Sequence, residues 1–462
     1  MKPKFILINP WIYDFAAANM WSRPLGLLKV AEYLGQFDVD LHFIDCTNTY
    51  VTKRKYGTGK YPRQIIKKPD VLKSVPKNYA RYGITIDQFK EKLKGHLPCD
   101  GILLTSIMSY WYPGVQKAVE IVRSLSPGIP VILGGIYASL YHRHASEHSG
   151  ADVIFRGHAG ISAPDFLAPP HTPTLQRGEL KMSTYSHLNI KSVIENLGIK
   201  LTRTGTFLPY YKLPLYEDYT FAPIMTSSGC PYRCTYCASS SLFNGFRQRE
   251  PSDVIREIKE LYTMGVRDYA FYDDALLINA DTHLKIVLRE LIISRLNIRF
   301  HCPNGVHARC IDDELARLMK KAGFSTLRLS LETINTERQA QTGGKVSTDV
   351  FRRAVQNLKA HGFTKEQIGV YLMYGLPGQE LKEVDEGVVF LKSLGLRINL
   401  TEFSPLPYTS CWNELVTKGI ISDNIDPLLT NNSVFSLLFS GYDIDALEKL
   451  RVSVNKYNSI CD

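Results

Sequence analysis

From residue 224 onward the chain repeats one pattern six times, a short apolar run followed by an amphipathic stretch. The runs lie at 224–226, 268–272, 298–301, 326–331, 368–374 and 398–403. Stretches such as 253–264, 312–322 and 350–360 carry apolar residues at helical spacing, and Gly323 stands where one helix should stop. Strands that alternate with helices pair in parallel, because each crossover helix returns the chain to the same end of the sheet. Six such units predict a partial (β/α)6 barrel of the TIM type. Its reactive face lies at the C-terminal ends of the strands.

The first strand runs into Cys230-Pro-Tyr-Arg-Cys234-Thr-Tyr236-Cys237. With 9 Cys in 462 residues, about 0.004 such triplets are expected by chance. Three thiolates in one loop can hold three irons of a [4Fe–4S] cube and leave the fourth iron open. A zinc site is the alternative, but zinc would want a fourth Cys or His, commonly on a second knuckle. None follows within the next few dozen residues. Cys46, Cys99, Cys302, Cys310, Cys411 and Cys461 are scattered. Such thiols read as reduced and mostly as small hydrophobes, and Cys302 and Cys310 give little support for a second cluster.

Polar or Gly/Pro-rich signals follow all six strands: the cysteine loop, Asp273-Asp274, His301-Cys-Pro-Asn304, Ser330-Leu-Glu332, Gly375-Leu-Pro-Gly378 and Ser404-Pro-Leu406. Together with the cysteine loop, these segments resemble the radical S-adenosylmethionine (SAM) superfamily. The resemblance implies that Cys230, Cys234 and Cys237 hold the cube and that SAM chelates the open iron through its amine and carboxylate. It also implies that Tyr236 packs near the adenine. Asp273 and Asp274 would meet the methionyl amine, where a carboxylate suits an ammonium. Glu332 and Ser330 would contact SAM from strand four. Gly375 and Gly378 would let backbone approach the adenine, with Ser404 and Leu406 beside it. Reductive cleavage of SAM then gives a 5′-deoxyadenosyl radical that removes a hydrogen atom from the substrate. One departure is Pro407-Tyr408-Thr409, where the family often shows Pro-Gly-Thr.

The first half carries apolar runs at 4–10, 41–45, 101–106, 130–134 and 152–156, separated by helical patterns that include 25–34 and 115–125. This predicts a doubly wound, Rossmann-like parallel sheet with its ligand site beyond the strand C-termini. Arg23-Pro24-Leu-Gly26 and Gly134-Gly135-Ile-Tyr137 resemble the cobalamin-binding domain that precedes the barrel in one class of radical SAM enzymes. On that resemblance Pro24, Gly26, Ser106, Met108, Gly134, Gly135 and Tyr137 are candidate cobalamin contacts. The bland alternative for Gly134-Gly135 is a tight strand-to-helix turn. The Asp-x-His-x-x-Gly motif that supplies a cobalt ligand is absent. Trp11-Ile-Tyr13-Asp14-Phe15 follows strand one instead, and His158 stands where relatives often show Gly-Glu-Gly-Glu.

The expected domains are 1–160, with a basic insertion at about 53–94; a proline-rich linker at 161–220 with one helical turn near 190–197; the barrel at 221–410; and an extension at 411–462 with a last helix near 444–454. Much of the net charge of +10 sits in the insertion. Tyr56, Tyr61, Tyr79 and Tyr82 lie among those cations, an arrangement that could stack on bases. A solvated face or an acidic substrate is the preferred reading. No apolar run reaches the roughly 18 residues of a membrane span, and no signal peptide is evident, so a cytoplasmic protein is expected.

The architecture implies a cobalamin-dependent methyltransferase acting on an unactivated carbon, with a small-molecule or peptide substrate and an external low-potential electron donor. Ring formation or rearrangement without methyl transfer is the first alternative, and a nucleic-acid-binding iron–sulfur protein is the second. Methylthiolation would need a second cysteine triplet in the first half, where only Cys46 and Cys99 occur.

Overall fold

The computed structural model describes residues 2–156, 189–205 and 207–461. Gly157 and His158 lie outside the described residues, as do residues 161–188 and 206 of the expected linker. The chain forms two compact units, Met1–Asp218 with Asn424–Leu429, and Tyr219–Asp423 with Thr430–Asp462.

Unit 1 is built on five parallel strands: β1 (Lys4–Asn9), β2 (Asp40–Asp45), β3 (Gly101–Leu104), β4 (Val131–Leu133) and β5 (Val153–Ile154), in the order β5-β4-β3-β1-β2. Phe5, Ile6, Leu7 and Ile8 are wholly buried, as expected for a parallel strand covered by helices on both faces. Helix Leu25–Leu34 matches its expected bounds, and Tyr112–Leu125 begins three residues early, with Pro113 in its first turn. The strand order reverses direction between β1 and β3. In doubly wound sheets a crevice opens at such a switch point.

The basic insertion is folded, not merely a solvated face. Ala80–Tyr82 pairs antiparallel with both Ile12–Asp14 and Arg63–Ile65, and Thr52–Lys53 pairs with Gly59–Lys60. Ile12, Tyr61, Ala80 and Tyr82 form its small core. Tyr61, Tyr79 and Tyr82 are therefore buried and unavailable for base stacking. Their alternation with cations in the sequence reflects strand and turn packing, and of the four tyrosines only Tyr56 reaches the surface.

Histidines give unit 1 a pH signature. Burial pushes His142 and His144 down to about 4. Arg156 adds to this at His142. At His144 the charge of Asp426 opposes it, His148 adds to it and Glu147 opposes it. The Tyr137 hydroxyl lies 2.6 Å from Nδ1 of His144. Both rings stay neutral in the folded state but protonate near pH 6.5 when unfolded. Their contribution is complete above about pH 6.5 and is lost as pH falls toward 4. Urea midpoints for unit 1 should therefore fall between pH 7 and pH 5, and H142Q/H144Q should flatten that decline. An unchanged slope in the double variant would reject this assignment.

Unit 2 carries six parallel strands in sequence order: β6 (Ala222–Ile224), β7 (Asp268–Phe271), β8 (Arg299–His301), β9 (Phe324–Glu332), β10 (Ile368–Tyr374) and β11 (Arg397–Glu402). This is the partial TIM-type barrel that the alternation predicts. The first strand stops at Ile224, and Ser227–Ser228 instead pairs antiparallel with Arg247–Gln248 to frame the cysteine loop. The terminal helix Ile444–Cys461 runs past its expected end. The Asn458 side chain bonds both the amide and the carbonyl of Ile398, which ties the helix to the edge strand β11. Helical periodicity carries no trace of that tie.

Candidate active site

The cysteine loop follows β6 and is shaped by glycine. Gly229 has φ +71°, and a Cβ there would lie 2.1 Å from the Gly245 carbonyl oxygen. Gly343 (φ +117°) lies against Cys234; a Cβ on it would sit 3.1 Å from the Cys234 Cα. Cys230 and Cys234 are half-buried and Cys237 is exposed. Desolvation raises all three thiols; at Cys234 the charge of Lys345 opposes it and that of Glu332 adds to it, and at Cys230 the charges of Cys234 and Asp274 add to it while Lys345 opposes. Cys237 is pushed up to about 11, with Asp274, Cys234 and Cys230 contributing. Thiolates that repel one another call for bound cations. Among the described residues, no three His, Cys, Asp or Glu side chains converge on a single metal ion. A cube makes a different demand, since each thiolate holds its own iron at its own corner. The donor set fits that group.

The acidic pair divides its roles. Asp273 is buried and accepts hydrogen bonds from the amides and hydroxyls of Thr226 and Ser227, at 2.6–3.1 Å. Its carboxylate is occupied in fixing the turn into the cysteine loop, so it is not free to meet an ammonium. Asp274 accepts one bond, from the Ser239 hydroxyl at 2.6 Å, just beyond Cys237. Burial raises both carboxyls. Asn304 donates to the Tyr272 carbonyl oxygen at 3.0 Å and so ties the end of β8 to that of β7.

Glu332 ends β9 at φ +69°, after a register shift against β10. A non-glycine residue in the left-handed region costs on the order of 1–3 kcal/mol and persists where its surroundings hold it. Here the Tyr236 hydroxyl and the Lys345 ammonium both bond its carboxylate. Lys345 also stands 5.9 Å from the centre of the Tyr236 ring. Burial opposes its charge, but Glu332, Cys234 and Cys237 outweigh that and raise its pKa. Ser330 lies beneath the backbone of Gly305, where a Cβ would come within 2.0 Å of its hydroxyl. It packs between strands instead of opening toward a cofactor.

Lys345 and His307 were missed in the sequence. Lys345 follows a Gly-Gly pair in a loop beyond β9, so no strand-end rule points to it. His307 places Nε2 3.9 Å from the Cys230 sulfur and packs at a tilt against the Tyr232 ring, while its Nδ1 is buried without a partner. Only its place three residues after Asn304 could have singled it out.

The segments after β10 and β11 are partly covered. The Gly375 amide (φ +84°) donates to the Tyr442 hydroxyl, and the Ser404 hydroxyl donates to the Thr430 carbonyl. Gly378 (φ +68°) has open space where a Cβ would be, and its carbonyl accepts from Arg338. Leu406 is half-buried. Tyr408 adopts φ +67° where relatives often place glycine, and Thr409 caps the next helix.

In unit 1, a cleft at the β1/β3 switch point is lined by Asn9, Trp11, Thr47, Ser106, Ile107 and Trp111, among others. None of its lining residues is His, Cys, Asp or Glu. Asp45, at the end of β2, is fully engaged with Asn9, Thr47 and Tyr216. Gly26 and Gly134 have room for a group where a side chain would be, and Met108 is half-buried. The other four candidates are taken up by local packing or turns. Gly135 (φ +89°) turns tightly against Thr105 and Ser106, as the bland alternative expects. The Ser106 hydroxyl bonds the Met108 carbonyl. Pro24 is buried, and Tyr137 is buried against His144. The cleft is small, with a cavity of about 10 Å³.

Residues 224–391 match the model of the Radical SAM superfamily. These residues carry a radical SAM domain, and that domain implies a [4Fe–4S] cluster and SAM. An uncharacterized methyltransferase of Pyrococcus horikoshii is 22% identical over 74% of this chain and 78% of its own length. The anaerobic magnesium-protoporphyrin IX monomethyl ester cyclase of Rubrivivax gelatinosus is 22% identical over 73% of this chain, which spans 62% of that enzyme. The fold resembles the radical SAM methyltransferase TsrM of Kitasatospora setae, solved with cobalamin and a [4Fe–4S] cluster bound. That likeness has a TM-score of 0.57 at 16% identity and covers 90% of this chain and 75% of the other. No helix among the described residues is long and apolar enough to cross a membrane.

Proposed function

We propose that this protein is a cobalamin-dependent radical SAM methyltransferase acting on an unactivated carbon of a small molecule. One observation carries the reading: a radical SAM barrel follows a doubly wound unit with five parallel strands in one sheet. Cobalamin bound by this unit would supply a methyl carrier without the His ligand of an Asp-x-His-x-x-Gly motif, which the chain lacks. The relatives and the fold likeness support the same reading.

Cys230, Cys234 and Cys237 would hold the cluster. Asp274 would take the methionyl ammonium, and Lys345, already paired with Glu332, would meet the carboxylate. Tyr236, Gly378 and Leu406 would flank the adenine. Asp273 acts through Thr226 and Ser227 as a positioning residue. The cluster and SAM supply one-electron radical chemistry, and cobalamin supplies a methyl carrier.

Anaerobic protein given reductant, SAM and cobalamin should produce both 5′-deoxyadenosine and S-adenosylhomocysteine. Deoxyadenosine alone, with corrin absorption present in the visible spectrum, would instead favour ring formation or rearrangement, the chemistry named for the cyclase relative.

A further inference from the structure

The barrel lumen holds a cation that the SAM site does not use. On β9, Leu327, Leu329 and Leu331 are buried. On β10, Leu372 presses against Gly387 of helix Leu381–Ser393. These residues face the helices. Side chains alternate along a strand, so Arg328 and Tyr371 face the lumen, and both retain some solvent exposure.

Arg328 makes a single hydrogen bond, from Nη1 to the carbonyl of its own neighbour Leu327 at 3.0 Å. Among the described residues it forms no ion pair. Asp268, lower in the barrel, is held by Arg299 at 2.6–2.7 Å and by His301 at 3.0 Å. Arg397, from β11, adds charge of the same sign to the surroundings of Arg328. Gly369 on β10 makes the crossing possible. A Cβ there would lie 2.8 Å from Arg328 Nη1 and 2.5 Å from Asn399 Oδ1. Asn399 Oδ1 is itself buried without a hydrogen-bond partner. Tyr371 closes one side, its hydroxyl fixed on the Pro303 carbonyl at 2.5 Å.

A guanidinium in such surroundings, with no carboxylate beside it, is costly to keep charged. Its rigid fork of donors matches the two oxygens of a carboxylate or phosphate. An amide can turn to offer its NH2 to the same group.

We propose that Arg328 and Asn399, with the charge of Arg397 behind them, form a subsite for an oxyanion of the substrate, either a carboxylate or a phosphate. The inference rests on the radical SAM reading and narrows its substrate class. Arg328 lies four residues before Glu332, about 13 Å lower along the strand. A substrate anchored there would present a carbon several bonds from its anionic end to the cluster side.

The test uses the anaerobically reconstituted full chain with saturating SAM, so that SAM's own carboxylate is already placed. Thermal midpoints are read while inorganic phosphate or acetate replaces chloride at constant ionic strength. Wild type should be stabilised by at least one of the two, and the responsive anion tells phosphate from carboxylate. R328Q should weaken that apparent affinity about tenfold or more, as expected for losing a charged hydrogen bond. In chloride alone it should be at least as stable as wild type, because an uncompensated cation has been removed. N399A provides a second reading in a variant that keeps the arginine, and it should also weaken the response. Equal anion responses in wild type, R328Q and N399A would overturn the subsite. So would a wild type indifferent to both anions together with an R328Q destabilised in chloride. Deoxyadenosine formation by wild type is scored separately. Its absence would sink the radical SAM reading and leave the anion result standing.

Discussion

Cys234→Ala protein, reconstituted with iron and sulfide, should lose the broad iron–sulfur absorption and all detectable cleavage of SAM. Cys230→Ala and Cys237→Ala should behave the same way. Changes to residues that only orient a ligand typically cost 10–100-fold. Loss of a ligand should exceed that, because two thiolates leave the cube with two unanchored corners. Cys234 is the sharpest choice, since it lies under Gly343 and beside Lys345. Cys411 and Cys302, both buried, serve as controls. Their alanine variants should retain iron. Full iron content in Cys234→Ala, or a single tetrahedral zinc in the wild type, would remove the basis of the proposed chemistry.

The second large effect should come from Glu332→Gln. The change strips Lys345 of its partner while the ammonium stays buried, its side chain only 13% exposed. Removing one member of a buried pair costs about 3–5 kcal/mol, which is roughly 10 °C in the midpoint of a unit this size. Glu332→Gln/Lys345→Met leaves neither charge stranded and should recover part of that loss. Thermal denaturation of both single variants and the double variant closes the cycle, with an expected coupling of at least about 1 kcal/mol. Lys345→Met should also raise the KM for SAM more than it lowers kcat. Strictly additive losses, or an unchanged KM, would show that the pair is not part of the SAM site.

Legibility in the sequence followed the range of the interaction. The six barrel strands and the helices between them were readable because burial on one face leaves a periodic trace in neighbouring residues. Ile368–Tyr374 fell on its expected bounds for that reason. The thiol spacing was readable because one short loop carries all three cysteines. Asp273 and Asp274 could not be told apart, since only the folded turn gives one carboxylate four donors and the other a single hydroxyl. Ser330, Ser404, Ser106 and Tyr137 carried the right residue types at strand ends or the following turns. Each is nevertheless engaged by a partner distant in sequence or by its own turn.

What the sequence settled by itself was the order of elements and the close spacing of three thiols, both products of local pattern. Tertiary structure alone decided which polar groups remain unengaged. A side chain's freedom depends on what other segments bring to it, and those segments lie dozens of residues away. Arg328 shows the limit: it looks like any strand arginine until β10 and β11 place Gly369 and Asn399 beside it, with no carboxylate among the described residues paired to it.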